Sequence, residues 1–338
     1  MAHSSSVKER LEAIDSAVMK GLTPFQRATV EHIANLYAGG QRRVLVADEV
    51  GLGKTLIARG VISKIACLRE KEGDDLVKVA YVCSNASIAA QNISKLRIDG
   101  DVQLTSAGSS RLSMQHLKIA RERGDEELKA HFIQITPLTP GTSFSISSGT
   151  GTMHERALIL AVLAYDERFG SASGRYNRLS ELMWDKRRSS NPGSWKGLRN
   201  YTEDCVRKAR EGDPERAEGT GYPYDVLMKV ERELEQAGGL TFSSLCSYLD
   251  SDEHDRRRER RAINDLRRAF AKVCVDMLNP DFVIMDEFQR FRNLIADNDS
   301  ETSMLAKSFL GGETRVLLLS ATPFRMYSTD AELDTAVT

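Results

Sequence analysis

The stretch that most constrains the fold of this chain is residues 42–56, which read RRVLVADEVGLGKTL. Its first part, Arg43–Ala47, contains an apolar, β-branched run of the length expected for a strand buried in a parallel sheet. Gly51 and Gly53 follow, and from Leu56 onward apolar residues recur at helical spacing. A strand, a glycine-rich turn and a helix in this order predict a parallel α/β unit with a phosphate-binding loop.

The residue types of this loop suit the binding of a nucleotide phosphate. Glycines let the backbone N–H groups of residues 51–53 approach phosphate oxygens, and the N-terminus of the helix adds its positive end. Lys54 would reach the β- and γ-phosphates, and the Thr55 hydroxyl would bind Mg²⁺. The strict motif has a glycine five residues before Gly53, where this chain has Asp48. The alternative interpretation is a tight strand-to-helix turn with a solvated lysine.

Composition excludes several classes of protein. The 47 basic and 48 acidic residues give a net charge of −1, so contact with nucleic acid must be local. The five cysteines have no paired spacing, which argues against a zinc or disulfide framework and predicts a reducing, cytoplasmic location. The first residues lack the apolar core of a signal peptide. No apolar run approaches the roughly 20 residues that cross a bilayer, so we expect no membrane partner.

Apolar runs typical of buried strands recur on both sides of a long helical region. They are residues 43–47, 76–83, 102–104, 131–136, 281–285 and 315–319. Helical periodicity between them predicts an α/β fold with a mostly parallel sheet. The predicted parts are an N-terminal helix (1–20), the first part of the nucleotide-binding domain (21–154), a large helical insertion (155–280) and the second part of that domain (281–338).

Polar residues follow four of these runs directly, and ligands of parallel sheets bind beyond the carboxyl ends of the strands. The segments are residues 48–55, 84–85, 286–287 and 320–322. Mg²⁺ prefers oxygen ligands and keeps several waters, so Thr55 and Asp286 are its predicted ligands. Glu287 is the predicted general base that accepts a proton from the attacking water. The alternative for Asp286 and Glu287 is a polar strand end that caps the following helix.

Two other features each allow two interpretations. Thr23, Pro24 and Gln26 form a predicted capping box at the start of a helix, which gives Gln26 a structural role. Residues 252–268 contain seven arginines and five acidic residues. This segment is either a solvated helix with i,i+4 ion pairs or a surface that contacts phosphates.

Three segments together resemble motifs I, II and III of superfamily 2 helicases. They read ADEVGLGKT at 47–55, VIMDEFQRF at 283–291 and LLLSATPF at 317–324. The wording DEVGLGKT resembles the Swi/Snf-like double-stranded-DNA translocases, in which an acidic residue at the position of Asp48 is usual. The resemblance implies the N-terminal, RecA-like ATPase half of a P-loop NTPase, with ATP and Mg²⁺ as ligands and nucleic acid, double-stranded DNA above all, as partner. It leaves the helical insertion unexplained.

The resemblance also implies roles for individual residues. The ATP phosphates and Mg²⁺ would be bound by Gly51, Leu52, Gly53, Lys54, Thr55 and Asp286, with Lys54 and Glu287 acting in catalysis. Nucleotide state would be coupled to the nucleic acid through Ser320, Ala321 and Thr322. Gln289 stands where many relatives have a histidine, so this coupling is expected to differ. Gln26 would recognise adenine, and Ser84, Asn85 and Thr136 would contact the nucleic-acid backbone.

The chain ends soon after the third motif, at Thr338. We therefore expect a second RecA-like domain, with the arginine that completes the ATP site, in the parent protein or in a partner chain. The main functional hypothesis is an ATP hydrolase of the helicase or translocase type. The alternative is a nucleotide-binding scaffold whose helical insertion docks a partner protein, with little turnover. A phosphate-loop kinase or GTPase is weaker, because the SATP segment has no role there.

Overall fold

A parallel sheet organises the chain, and the computed structural model describes residues 2–49, 51–74, 76–98, 102–104, 111–123, 131–139, 149–184, 191–288 and 301–321. The strands are β1 (Arg43–Ala47), β2 (Val77–Val82), β3 (Val102–Leu104), β4 (Ile133–Leu138), β5 (Phe282–Asp286) and β6 (Arg315–Ser320). They form a six-stranded sheet in the order β1-β6-β5-β2-β4-β3, and all neighbours are parallel. The α/β class and the parallel sheet are therefore confirmed.

Helices cover both faces of this sheet and continue into a second layer. Within the described ranges they are α1 (Ala2–Lys20), α2 (Pro24–Ala38), α3 (Lys54–Glu72), α4 (Ala86–Leu96), α5 (Gln115–Arg123), α6 (Met153–Leu163), α7 (Tyr176–Trp184), α8 (Pro192–Gly212), α9 (Tyr224–Ala237), α10 (Phe242–Asp250), α11 (Arg256–Leu278) and α12 (Glu301–Leu310). Short 3₁₀ turns occur at Leu112–Met114 and Ser171–Ser173. None of these helices has the length and apolar composition needed to cross a membrane.

The apolar residues form three clusters. One lies between the sheet and α1–α4, and a second lies between the opposite face of the sheet and α11 and α12. The third is a helical core built from α5 to α11. Helix α11 belongs to two of them, because Ala271 and Val275 pack toward the sheet while Leu266 and Phe270 pack into the helical core.

Strand β4 begins and ends two residues later than the sequence predicted, and it includes Pro137. The amide nitrogen of Cys83 donates to the carbonyl of Leu138, so the backbone N–H and C=O groups of the even-numbered residues of β4 point toward β2. The backbone nitrogen of Pro137 therefore points toward the β3 side. It lies two residues beyond the last pair of these strands, Leu104 and Ile135. A missing N–H is tolerated there because it removes no hydrogen bond between paired strands.

A buried ionic network fixes the chain where it enters the helical core. Glu155 is 2 % exposed and pairs with Arg267, which is 1 % exposed, over a distance of 3.0 Å between Oε2 and Nε. Gly151 lies against both side chains with a φ of +71°, and a Cβ at this position would overlap them. Arg156, equally buried, donates to the carbonyl oxygens of residues 150, 151, 183 and 184. These bonds satisfy a guanidinium that would otherwise be costly to bury.

The register of the sheet aligns the carboxyl ends of three neighbouring strands. Ala47 at the end of β1 pairs with Ser320 at the end of β6, and Asp286 at the end of β5 pairs with Leu319. Since β6 lies between β1 and β5, these two strand ends are separated by two strand spacings, about 10 Å. The segments that follow the three strands therefore emerge at one edge of the sheet.

Candidate functional site

The glycine-rich loop joins β1 to α3 through two residues with left-handed backbone. Gly51 has a φ of +92° and Gly53, which caps the N-terminus of α3, has a φ of +80°. A side chain is disfavoured at both positions because this region of φ strains L-residues. At Gly53 there is a second reason, since a Cβ would overlap the side-chain amide of Gln26. The turn thus places the first N–H groups of a 19-residue helix at the carboxyl end of β1.

Lys54 lies along this loop. Its Nζ donates to the carbonyl oxygens of Asp48 at 2.9 Å and Glu49 at 2.8 Å, and its side chain is half-buried. The ammonium group of Lys54 is therefore bonded to the backbone of the loop. Neutral carbonyl oxygens are weaker partners for an ammonium group than charged phosphate oxygens are. A bound phosphate could therefore replace them.

Gln26 connects helix α2 to the same loop. Its side-chain Oε1 accepts from the backbone amide of Thr23 at 3.1 Å, and its backbone amide donates to Thr23 Oγ1 at 3.3 Å. These two bonds confirm the predicted capping box. Its Nε2 donates to the carbonyl oxygen of Leu52 at 3.0 Å. The side chain is 8 % exposed. Gln26 therefore has a structural role on both sides, and its predicted contact with adenine stays a prediction.

Asp286 ends β5 on the face of the sheet that α3 and α4 cover, and two neutral side chains hold its carboxylate. Tyr81 donates from its hydroxyl to Asp286 Oδ2 at 2.5 Å, and Asn92 Nδ2 donates to the same oxygen at 3.1 Å. Asn92 Nδ2 also lies 3.0 Å from the Tyr81 hydroxyl oxygen. Burial, followed by the charge of Asp286, raises the pKa of the Tyr81 hydroxyl, so it remains the proton donor. No local sequence pattern pointed to Tyr81 or Asn92 as part of the site.

Glu287 follows Asp286 with a φ of +56°, in the left-handed region. For a residue with a Cβ this conformation costs roughly 1–2 kcal/mol, and it turns the chain sharply away from the strand direction. Burial raises the pKa of the Cys83 thiol at the end of β2, and the charges of Asp286 and Glu287 act in the same direction. Asp286 and Glu287 thus follow Met285 where β5 lies beside the end of β2, since Met285 pairs with Val82.

The other predicted site residues differ in position and in burial. Ser320 is fully buried at the end of β6, and Ala321 beside it is half-buried. Ser84 follows β2, and its buried Oγ has no hydrogen-bond partner among the described residues. Asn85 is exposed, and its carbonyl accepts from an amide in the first turn of α4. Gln289 and Thr322 lie outside the described residues.

Thr136 lies away from this edge of the sheet. It pairs with Ala80 in the interior of β4, on the face opposite Asp286. There it lines a cavity of about 600 Å³ between the sheet, α5 and the end of α11. The structure therefore does not bring Thr136 together with Ser84 and Asn85.

Thr55 and Asp286 carry the oxygen donors that Mg²⁺ prefers in proteins. Thr55 lies in the first turn of α3 and is half-buried, and Asp286 supplies a carboxylate. In the part of the chain that the structure describes, no group of three or more His, Cys, Asp and Glu residues could hold a metal. Mg²⁺ does not require such a group, because phosphate oxygens and waters complete its octahedral shell. Asp48 adds a buried Oδ2 with no hydrogen-bond partner among the described residues.

Three large apolar side chains next to the loop are exposed. Phe25 is 53 % exposed, Leu52 43 % and Leu56 37 %. They belong to α2, the loop and α3, and Gln26 joins α2 to the loop. We call these three residues the loop patch. Comparison of the chain with protein-family models, with curated proteins and with solved structures finds no match in any of the three.

Proposed function

We propose that this chain is the ATP-binding, RecA-like half of a nucleic-acid-dependent ATPase of the helicase or translocase type. The observation that supports this proposal best is the meeting of three polar segments at one edge of the sheet. The glycine-rich loop follows β1, Asp286 ends β5, and Ser320 ends β6 between them. That edge is where ligands of parallel sheets bind, and these residue types suit phosphoryl transfer to water.

Each side chain has a part in the proposed reaction. Lys54 and the loop amides would bind the phosphates, and Thr55 and Asp286 would hold Mg²⁺. When bound, the metal supplies positive charge that stabilises the developing negative charge on the phosphate oxygens. Glu287 would accept the proton of the attacking water, so that ATP and water give ADP and phosphate. Gln26, already joined to the loop, would bind the adenine.

A second RecA-like domain is proposed to pack over the loop patch. Phe25, Leu52 and Leu56 are exposed beside the phosphate-binding loop, and covering them would be favourable. That domain would also supply an arginine to the transition state, a contribution worth roughly 10³–10⁵ in rate in related P-loop systems. The chain alone is therefore expected to bind ATP weakly and to hydrolyse it slowly.

The proposed activator is double-stranded DNA. Ser84 and Asn85 follow β2 at the same sheet edge as the ATP site, where contact with the nucleic-acid backbone could influence hydrolysis. The exposed arginines at the start of α11 are a second candidate contact. Because the net charge of the chain is −1, DNA binding would depend on such local groups.

The central test measures ATP binding and ATP hydrolysis with and without double-stranded DNA, in the presence of the second RecA-like domain. Lys54→Ala should abolish ATP binding, because the ammonium that faces the phosphates is lost. Lys71→Ala, at the exposed far end of the same helix, is the matched control and should leave binding unchanged. Equal binding by wild type and Lys54→Ala would refute the assignment of the loop.

A nucleotide-binding scaffold is the second candidate function. It is favoured by two large exposed apolar side chains on the helical core, Tyr201 on α8 at 67 % and Met228 on α9 at 61 %. Tyrosine and methionine are enriched in surfaces that contact a partner protein. Nucleotide binding without any stimulation by DNA would support the scaffold, whereas DNA-stimulated hydrolysis would support the motor.

A further inference from the structure

Three side chains from separate elements meet at the carboxyl end of β5. Tyr81 comes from β2, Asn92 from α4 and Asp286 from β5 itself. We propose that Tyr81 and Asn92 are positioning residues, which hold the Asp286 carboxylate in the orientation that binds the Mg²⁺ of a nucleotide. This inference rests on the proposed function, because it assigns a role to neighbours of the proposed metal ligand.

The hydrogen bonds restrain the carboxylate in a defined way. Both Tyr81 and Asn92 donate to Oδ2, at 2.5 Å and 3.1 Å, and Asn92 Nδ2 lies 3.0 Å from the Tyr81 hydroxyl oxygen. Two donors on one oxygen oppose rotation of the carboxylate about its Cβ–Cγ bond. Oδ1 is then the oxygen that can face a cation or its bound water. Groups that orient a metal ligand in this way typically change metal affinity by about 10–100-fold when they are removed.

The identity of residue 81 is better explained by this role than by packing. Its ring lies in the apolar cluster between the sheet and α1–α4, where the residue is fully buried. A phenylalanine would fill the same space without a hydroxyl group that must leave water. The hydroxyl bonds to a charged acceptor, and such hydrogen bonds are stronger than those between two neutral groups. The Asp286 carboxylate thus supplies the acceptor that the buried Tyr81 hydroxyl needs, and the hydroxyl supplies a donor that orients the carboxylate.

Sheet topology explains why these residues meet. Strands β2 and β5 are neighbours, and Tyr81 pairs with Ile284, two residues before Asp286. Side chains two residues apart on a strand share one face, so the long tyrosine side chain reaches the carboxylate along that face. Helix α4 covers the same face and contributes Asn92 from its second turn.

The test measures how nucleotide binding depends on Mg²⁺. Fluorescent ATP is titrated at a series of Mg²⁺ concentrations, and in EDTA, with wild type, Tyr81→Phe and Asn92→Ala. We expect the Mg²⁺ concentration at half-maximal binding to rise about 10-fold or more in both variants. Binding in EDTA should stay unchanged, because only the metal ligand loses its orientation.

Tyr37→Phe is the matched control. Tyr37 is also buried in this cluster, and its hydroxyl donates to the carbonyl oxygen of Val316 at 2.9 Å, away from Asp286. Its loss should lower the melting temperature without moving the Mg²⁺ midpoint. A purely structural role of Tyr81 predicts the same result for Tyr81→Phe.

The outcomes distinguish failure of the positioning role from failure of the proposed function. If wild type binds Mg²⁺-ATP and both variants keep its Mg²⁺ midpoint, the positioning role is wrong and the proposed function stands. If wild type binds no nucleotide at any Mg²⁺ concentration, the proposed function fails, and the positioning role fails with it. A raised midpoint in Tyr81→Phe and Asn92→Ala, with an unchanged one in Tyr37→Phe, supports the inference.

Discussion

Glu287 combines an unusual backbone conformation with the proposed role of general base. Its φ of +56° turns the chain immediately after Asp286, so the side chains of Asp286 and Glu287 need not point to opposite faces of the sheet. In a regular strand they would point to opposite faces of the sheet, and only one of them would face the nucleotide. The left-handed residue thus allows adjacent acids to serve one site.

Glu287→Gln is expected to separate binding from hydrolysis. The amide keeps the shape of the side chain but cannot accept a proton, so ATP affinity should be retained while turnover falls by about 10²-fold or more. Both quantities are measured with the second RecA-like domain and DNA present. Glu49→Gln, an exposed acid in the loop, is the control with the same chemical change. Unchanged hydrolysis in Glu287→Gln would show that another group acts as the base.

Gly151→Ala should destabilise the protein by roughly 3 kcal/mol. The substitution strains a residue with a φ of +71° and forces apart the buried pair of Glu155 and Arg267. Gly174→Ala isolates the conformational part, because Gly174 has a φ of +75° and no atom within 4 Å of an added Cβ. Urea unfolding measures both variants. Equal losses of stability would mean that the buried pair contributes nothing at Gly151.

At the scale of elements, the strands were the most predictable part of the fold. Strand β1 has the predicted bounds, and β5 and β6 each end one residue later than expected, at Asp286 and Ser320. Strands β2, β5 and β6 are buried on both faces, so hydrophobicity alone marks them. The prediction that residues 43–47 are buried was wrong, because β1 is an edge strand and is exposed at Arg43, Leu45 and Ala47. The bounds of β4 were wrong by two residues, because the tolerance for Pro137 depends on where the neighbouring strand stops pairing.

The site was predictable only where its residues follow one another in the chain. The loop and the acidic pair are visible as short motifs, and so is the capping box of Gln26. The bonds from Tyr81 and Asn92 to Asp286 join residues 205 and 194 positions apart. They depend on β5 inserting beside β2, and no local pattern specifies that order. The same applies to Thr136, whose position on the opposite face follows from strand register.

The start of α11 carries the arginines that the sequence left with two interpretations. Arg267 is buried against Glu155 and is structural, whereas Arg258 and Arg268 pair with nearby acids at the surface. Arg257 and Arg261 are exposed one turn apart and form no salt bridge with a described residue. Like charges at this spacing, near the positive end of the helix dipole, are unfavourable for the isolated helix. A polyanion would relieve this repulsion.

Reversing the charge of Arg257 and Arg261 to glutamate should weaken DNA binding and reduce its salt dependence. Each phosphate contact that is lost lowers the slope of log affinity against log salt by about 0.9. Reversal of Arg207 and Lys208, exposed neighbours on α8, changes the net charge by the same amount and serves as the control. Fluorescence anisotropy with labelled duplex DNA at several salt concentrations gives both quantities. If the two double variants behave alike, the arginines of α11 form an ordinary solvated surface.

For the whole molecule, the helical core makes stability depend on pH through His116. Its ring is fully buried between Tyr222 and Phe270, with Nδ1 3.1 Å from the Tyr222 hydroxyl oxygen. Burial lowers the pKa of His116 to about 3. In the unfolded chain a histidine titrates near 6.5, so between about pH 6.5 and 3 only the unfolded state takes up the proton. Stability is therefore complete above this range and falls on acidification within it.

His116→Phe should remove part of this acid sensitivity. Between pH 7 and 5 the wild type is expected to lose about 2 kcal/mol of unfolding free energy through this one group, at roughly 1.4 kcal/mol per pH unit below 6.5. The variant should lose that much less over the same interval, whatever its stability at pH 7. Urea unfolding at the two pH values measures the difference, with His32→Phe, an exposed position, as the control. The same pH dependence in all three proteins would contradict a neutral buried imidazole.

Helix α4 has a consequence for communication across the molecule. Its N-terminus adjoins Ser84 and Asn85, the predicted contacts with the DNA backbone, and its second turn carries the amide that holds Asp286. A short helix moves as a rigid rod, so if double-stranded DNA displaced the start of α4, Asn92 would shift by a similar amount. If the proposed function is right, DNA binding would then change the hydrogen bond from Asn92 to Asp286, and the coupling would be reciprocal, with nucleotide altering the affinity for DNA by the same factor.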